Sequence, residues 1–176
     1  MSDKLENNID NLEPGVYLVG TMQLGDKVDV TDPCYSKKVW CRKTLDCQPG
    51  SYFGYVTVDN TCGYNQVHDI SIYKDDVKPD YDDAYFQDTI CVDSGMAGFF
   101  NNKPDFSNEQ WNELCIETDD GGSFWSMFNG LFSVSGYGDG QYPIYVNEEK
   151  TVFRILFIDE EDEYEDENFE IEDEEE

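Results

Sequence analysis

Three short stretches of the chain pair an aspartate with turn-forming residues: TDPCY at 31–35, VDSGMAGFF at 92–100 and SGYGDGQYP at 135–143. Each puts its carboxylate, Asp32, Asp93 or Asp139, at the end of a strand-like run, where a chain reversal leaves side chains exposed. Brought together, the three would make an oxygen-rich site for a hard cation such as Ca2+ or Mg2+, with metal-assisted hydrolysis as one use. Each also has a local explanation. An aspartate before proline or glycine accepts backbone N–H bonds within its own turn, and glycine supplies the positive φ.

Other chemistry is harder to build. GYGDG has neither the lysine nor the following Ser/Thr of a phosphate-binding loop, and it precedes a strand where such a loop must open a helix. The ligand spacing and closing glutamate of an EF-hand are also missing. A Ser or Cys nucleophile needs a base, and the single histidine, His68, sits in a strand-like run, HDISIY, at one edge of the face. That position fits a structural or surface role. The cysteines, Cys34, Cys41, Cys47, Cys62, Cys91 and Cys115, lack paired zinc-ligand spacing. In a chain with no apolar leader they read as reduced thiols, mostly small core residues. The loop KDDVKPDYDDAY, with Asp75, Asp76, Asp80, Asp82 and Asp83, reads as a solvated acidic loop.

The elements that must position these residues are mainly strands. GVYLVG, DKVDVTD, SYFGYVTV, HDISIY, DTICVDSG, GLFSVSG, YPIYV and TVFRILFI are rich in β-branched and aromatic residues and bounded by turn formers. SYFGYVTV with HDISIY, and YPIYV with TVFRILFI, read as antiparallel hairpins. One helix is predicted in PDFSNEQWNELCIE: Ser107 and Gln110 have capping-box spacing, and Phe106, Trp111, Leu114 and Cys115 share a face. Phe99, Phe100, Phe124, Trp125, Phe128 and Phe132 read as core. The expected fold is mainly β (α+β), an antiparallel sheet or sandwich with one short helix. It would span residues 14–158 as a single domain, between a disordered leader over 1–13 and a disordered acidic tail over 159–176.

Charge limits the partners. The formal net charge is -29, and fourteen acidic side chains lie in 159–176 with no basic one, so residues 1–158 still carry -15. Such a body repels nucleic acid and anionic membranes and attracts basic surfaces, those of nucleic-acid-binding proteins included. Within the tail, Asp159, Glu160, Glu161, Asp162 and Glu163, with Tyr164 and Phe169, have the composition of a docking segment, apolar residues spaced through an acidic run. No stretch is long and apolar enough to span a bilayer, so a soluble, cytoplasmic protein is expected. The leading expectation is a non-enzymatic interaction protein without a cofactor, in its sharpest form a nucleic-acid-mimicking inhibitor of the anti-defence or immunity type. The alternatives are the aspartate metal or ligand site and a structural component of a larger assembly.

The succession VTDPCY, VDSGMAGFF and GYGDGQYPIYV also resembles an uncharacterised domain-of-unknown-function family of bacteria and eukaryotes, across residues 15–158. Its members carry Asp-Pro, Asp-x-Gly and Gly-Asp-Gly-x-Tyr-Pro segments in this order. Gly138-Asp139-Gly140-Gln141-Tyr142-Pro143 is the most specific part. The resemblance implies a compact β-rich domain and no particular activity.

Overall fold

The computed structural model describes residues 7–36, 42–75, 83–119 and 121–158. Eleven strands and one helix follow in order: β1 (Gly15–Leu24), β2 (Lys27–Thr31), β3 (Lys43–Asp46), β4 (Gly50–Asp59), β5 (Gln66–Lys74), β6 (Ala84–Val92), β7 (Met96–Phe100), α1 (Asn108–Thr118), β8 (Phe124–Met127), β9 (Gly130–Val134), β10 (Gly140–Asn147) and β11 (Val152–Leu156). They form two antiparallel sheets, β1-β4-β5-β11-β10-β6 and β3-β2-β7-β9-β8. The mainly β, antiparallel sandwich with one helix is therefore what the chain adopts.

Period-two patterning explains how the sheets face each other. In β4, Tyr52, Val56 and Val58 are buried, while Phe53, Tyr55 and Thr57 point to the outer face and are half-buried. The main core joins Tyr52, Val56, Ile70, Ile72, Ile144, Phe153 and Ile155 of the first sheet to Val28, Val30, Phe99 and Leu131 of the second. Gly54 lets the layers close: a Cβ there would lie 2.4 Å from Leu131 Cδ1. On the outer face, Tyr55 stacks on Tyr73 at 5.1 Å between centroids and an interplanar angle of 7°. Beside this stack Ser71, which an antiparallel sheet would ordinarily leave wet, is fully buried.

Both predicted hairpins form, β4 with β5 and β10 with β11. Helix α1 begins where the sequence placed it, with the Ser107 hydroxyl accepting from Gln110 N and the Gln110 side chain accepting from Ser107 N. Its apolar face is narrower than expected: Leu114 is buried against Phe100, Trp125 and Phe132, whereas Trp111 and Cys115 are exposed. Of the aromatics expected in the core, all are buried except Phe128, which is half-buried against Phe106.

Three strands were not anticipated. β3 is a short polar edge strand, KTLD, and β7 and β8, MAGFF and FWSM, are short runs without alternation; their pairing with β2 and β9 makes them strands. Of the leader expected over 1–13, residues 1–6 lie outside the described residues, and residues 7–13 are held against the sandwich. Ile9 is buried in a 3-10 turn over Ile9–Asn11, Asn65 Nδ2 donates to the carbonyls of Ile9 and Leu12, and Ser123 N donates to Asn7 O at 2.7 Å. The acidic run from Asp159, including Tyr164 and Phe169, lies outside the described residues, as do Asp76, Asp80 and Asp82. Among the described residues no helix is long and apolar enough to cross a membrane.

Candidate functional site

The three aspartate segments do meet at one end of the sandwich. Asp32 follows the last residue of β2. Its Oδ2 accepts the backbone N–H groups of Asp93 (3.0 Å) and Ser94 (2.7 Å), and its Oδ1 accepts Cys34 N (2.8 Å) and the Ser94 hydroxyl (2.6 Å). The third segment adjoins the second, since Ser135 N donates to Gly95 O at 2.9 Å and Gly140 pairs with Val92.

Convergence of the segments is not convergence of the carboxylates. Asp32 is fully buried and turned onto backbone donors, while Asp93 and Asp139 are exposed. Among the described residues no group of three or more His, Cys, Asp or Glu side chains is arranged to hold a metal ion. Where the alternative reading has Asp32, Asp93 and Asp139 meet around Ca2+ or Mg2+, the described residues form a brace in which one carboxylate ties two loops together. The glycine-rich stretch is closed on itself as well: Tyr142 Oη and the Ser135 hydroxyl both donate to Gly138 O, at 2.7 and 2.6 Å. Gly136, at φ +56°, is needed there because a Cβ would meet Val67 O and Phe157 Cβ at 2.9 Å.

Cys34 lies beside this brace and is half-buried; burial pushes its thiol up to about 11, so it is protonated at neutral pH and a poor nucleophile. Of the other described cysteines only Cys47 is buried, and Cys62 and Cys115 are exposed, which corrects the reading of most as core. All five are free thiols.

A second polar centre was missed. Asp29, on β2, accepts from Thr44 Oγ1 (2.7 Å), from Lys103 N (2.8 Å) and from the Arg42 guanidinium, whose Nη2 also donates to Lys103 O at 2.7 Å. The Arg42 and Asp29 side chains are each 6% exposed, and Arg42 Nη1 is buried with no hydrogen-bond partner among the described residues. Lys103 is buried too, its Nζ donating to Tyr35 O at 2.8 Å and lying 4.1 Å from the Phe106 ring centroid; burial lowers it to about 8. Alternation in KVDVT was the one available signal, and it does not predict Arg42 or Lys103 as partners.

A third cluster explains His68. A register shift between Thr57 and Val58 breaks the β4–β5 ladder, which pairs Asp69 with Thr57 and Val67 with Val58 and leaves His68 between them. His68 Nδ1 then lies 2.9 Å from Asp69 Oδ2, to which Arg154 Nη2 also donates at 2.7 Å. The Asp69 contact holds His68 above its ordinary value; burial works to raise Asp69, and the bonds from His68 and Arg154 outweigh it and keep that carboxyl low. His68 and Arg154 thus share the Asp69 carboxylate, an arrangement that ties β5 to β11.

The described cations are all committed. Of the described Lys and Arg side chains, Lys27 and Lys150 pair with Asp46, Arg42 with Asp29, Lys43 with Asp88, Lys74 with Asp75 and Arg154 with Asp69, while Lys103 is buried. Exposed Asp93, Glu109, Glu113, Glu117, Asp139 and Glu148 have no such partner among the described residues. The fold and its sites define a class: an antiparallel β-sandwich with internally braced aspartates and an uncompensated acidic surface. Comparison with protein-family models, curated proteins and solved structures returns no match.

Proposed function

We propose that this chain is a non-enzymatic acidic interaction protein that binds a basic partner, with mimicry of nucleic acid as the specific form. The observation that carries this reading is the commitment of every described cation to the protein's own interior or to its own aspartates. Exposed carboxylates are left to act outward, and they add to a net charge of -15 over residues 1–158. Carboxylates held on a rigid sandwich can stand where phosphates would stand on a basic groove, giving fast, salt-sensitive association. The test is binding to a panel of basic nucleic-acid-binding proteins at increasing salt, with duplex DNA as competitor. The expected result is binding that weakens steeply with salt and is displaced by DNA. Salt-independent binding, or none, would remove the proposal.

A second reading, a structural component of an assembly, is favoured by apolar residues on both edge strands of the larger sheet. Val16 and Leu18 on β1 are 64% and 52% exposed, and Tyr85 and Phe86 on β6 are 66% and 62% exposed. Sedimentation of the full chain over a concentration series checks it, a single monomeric species counting against self-assembly.

A further inference from the structure

Helix α1 and strand β8 enclose a groove of about 520 Å3, lined by Val19, Phe124, Trp125 and Met127 with Glu113 and Glu117. The floor mixes these apolar side chains with Asn7 and Ser126, and the wall is acidic. Glu113 and Glu117 are one helical turn apart and exposed, and Glu109 continues the row. Glu109, in the first turn, suits the helix dipole, but Glu113 and Glu117 do nothing for the helix. Like charges at i, i+4 disfavour it, and Glu117 near the C-terminal end opposes the macrodipole, with no basic residue in the last turn to offset it. No Lys or Arg among the described residues pairs with either glutamate.

From this combination we infer that the groove docks an extended basic segment of a partner protein, one that alternates arginine or lysine with apolar side chains. The cationic heads lie along Glu113 and Glu117. The aliphatic stems and apolar neighbours cover Val19, Phe124 and Met127, since long basic side chains bury their stems while the head stays wet. β8 ends its sheet, and its edge is already taken at Phe124 by Asn7 Nδ2 (2.8 Å), so the segment lies along the groove beside α1 rather than as an added strand. This inference rests on the acidic-interaction reading and gives it an address.

The test uses the full chain, a fluorescein-labelled peptide of repeating Arg-Leu and an oligo-arginine of equal charge, with anisotropy read in dilute and physiological salt. The wild type should bind the Arg-Leu peptide more tightly. E113Q/E117Q should weaken that binding roughly tenfold, about what two exposed ion pairs supply, while E148Q/E149Q in the β10–β11 turn should stay within about twofold. Met127→Ala should erase the preference for Arg-Leu over oligo-arginine. If E148Q/E149Q weakens binding as much as E113Q/E117Q, or if E113Q/E117Q has no effect, the groove is excluded while the acidic-surface reading stands. If neither peptide binds in a salt-sensitive way, both fall.

Discussion

Asp29 and Asp32 lie three residues apart, at β2 and its exit, and both are buried, yet they are stabilised by different means. Asp32 has no cation among the described residues: two backbone N–H groups of the 93–94 turn, Cys34 N and one hydroxyl supply its bonds. Asp29 has Arg42, brought from just before β3, together with Thr44 and the Lys103 amide. The difference shows that a buried charge at a turn can be satisfied by backbone that the turn must present anyway. A buried charge inside a strand needs a counter-charge delivered from elsewhere.

The sharpest way to break this comparison is to remove each carboxylate. Asp29→Ala strands the buried Arg42 guanidinium and should lower unfolding free energy by about 4 kcal/mol, measured by denaturant titration. The double variant D29L/R42M should recover most of the loss, because an apolar pair can replace a buried ion pair. Asp32→Ala should cost about 3 kcal/mol, since N–H groups are left without acceptors. No second substitution should rescue it, because its partners are mostly main chain. Rescue of D32A by a single side-chain change elsewhere would contradict the brace.

A smaller effect is read from the helix cap. Ser107→Ala should cost about 1 kcal/mol by the same titration, and a loss well above that would mean α1 contributes more to the second core than Leu114 alone indicates.

Two pH dependences sharpen the contrast between centres. Lys103 titrates near 8 when folded and near its ordinary 10.5 when unfolded. The unfolded chain therefore binds the extra proton between these values, and stability from this group rises with pH across that window. Cys34 and Cys47, pushed up to about 11, act in the opposite sense above pH 9. Lys103→Met should remove only the rising component, seen as a difference between the two stability profiles.

The smallest effect is at His68. Its folded value is raised, so its contribution is fully present below its unfolded value of 6.5 and is lost as pH rises through the folded value. His68→Gln should flatten stability over that range, monitored by thermal melting at stepped pH. An unchanged profile would mean that the Asp69 contact adds nothing.

The turn chemistry was readable before any coordinates. Asp-Pro, Asp-Ser-Gly and Gly-Asp-Gly each mark a reversal, and the Ser107–Gln110 spacing marks the helix start. The hairpins followed from alternation and short connections. KTLD and FWSM were not readable as strands because they lack a pattern of their own and take their conformation from β2 and β9. The cysteines were misplaced for a related reason: composition says that thiols prefer the interior, but exposure depends on which face of an element each occupies.

What the amino-acid sequence determined by itself is local and additive: where the chain turns, where it caps a helix, which runs alternate, and the overall negative charge. What only the tertiary structure decided is pairwise and long-range. It set Asp32 against the 93–94 amides rather than against Asp139, joined Arg42 to Asp29, and left glutamates facing the groove between α1 and β8. Side-chain type sets what a residue can bond to, but its actual partner depends on strand order and register, and those are properties of the folded sheets.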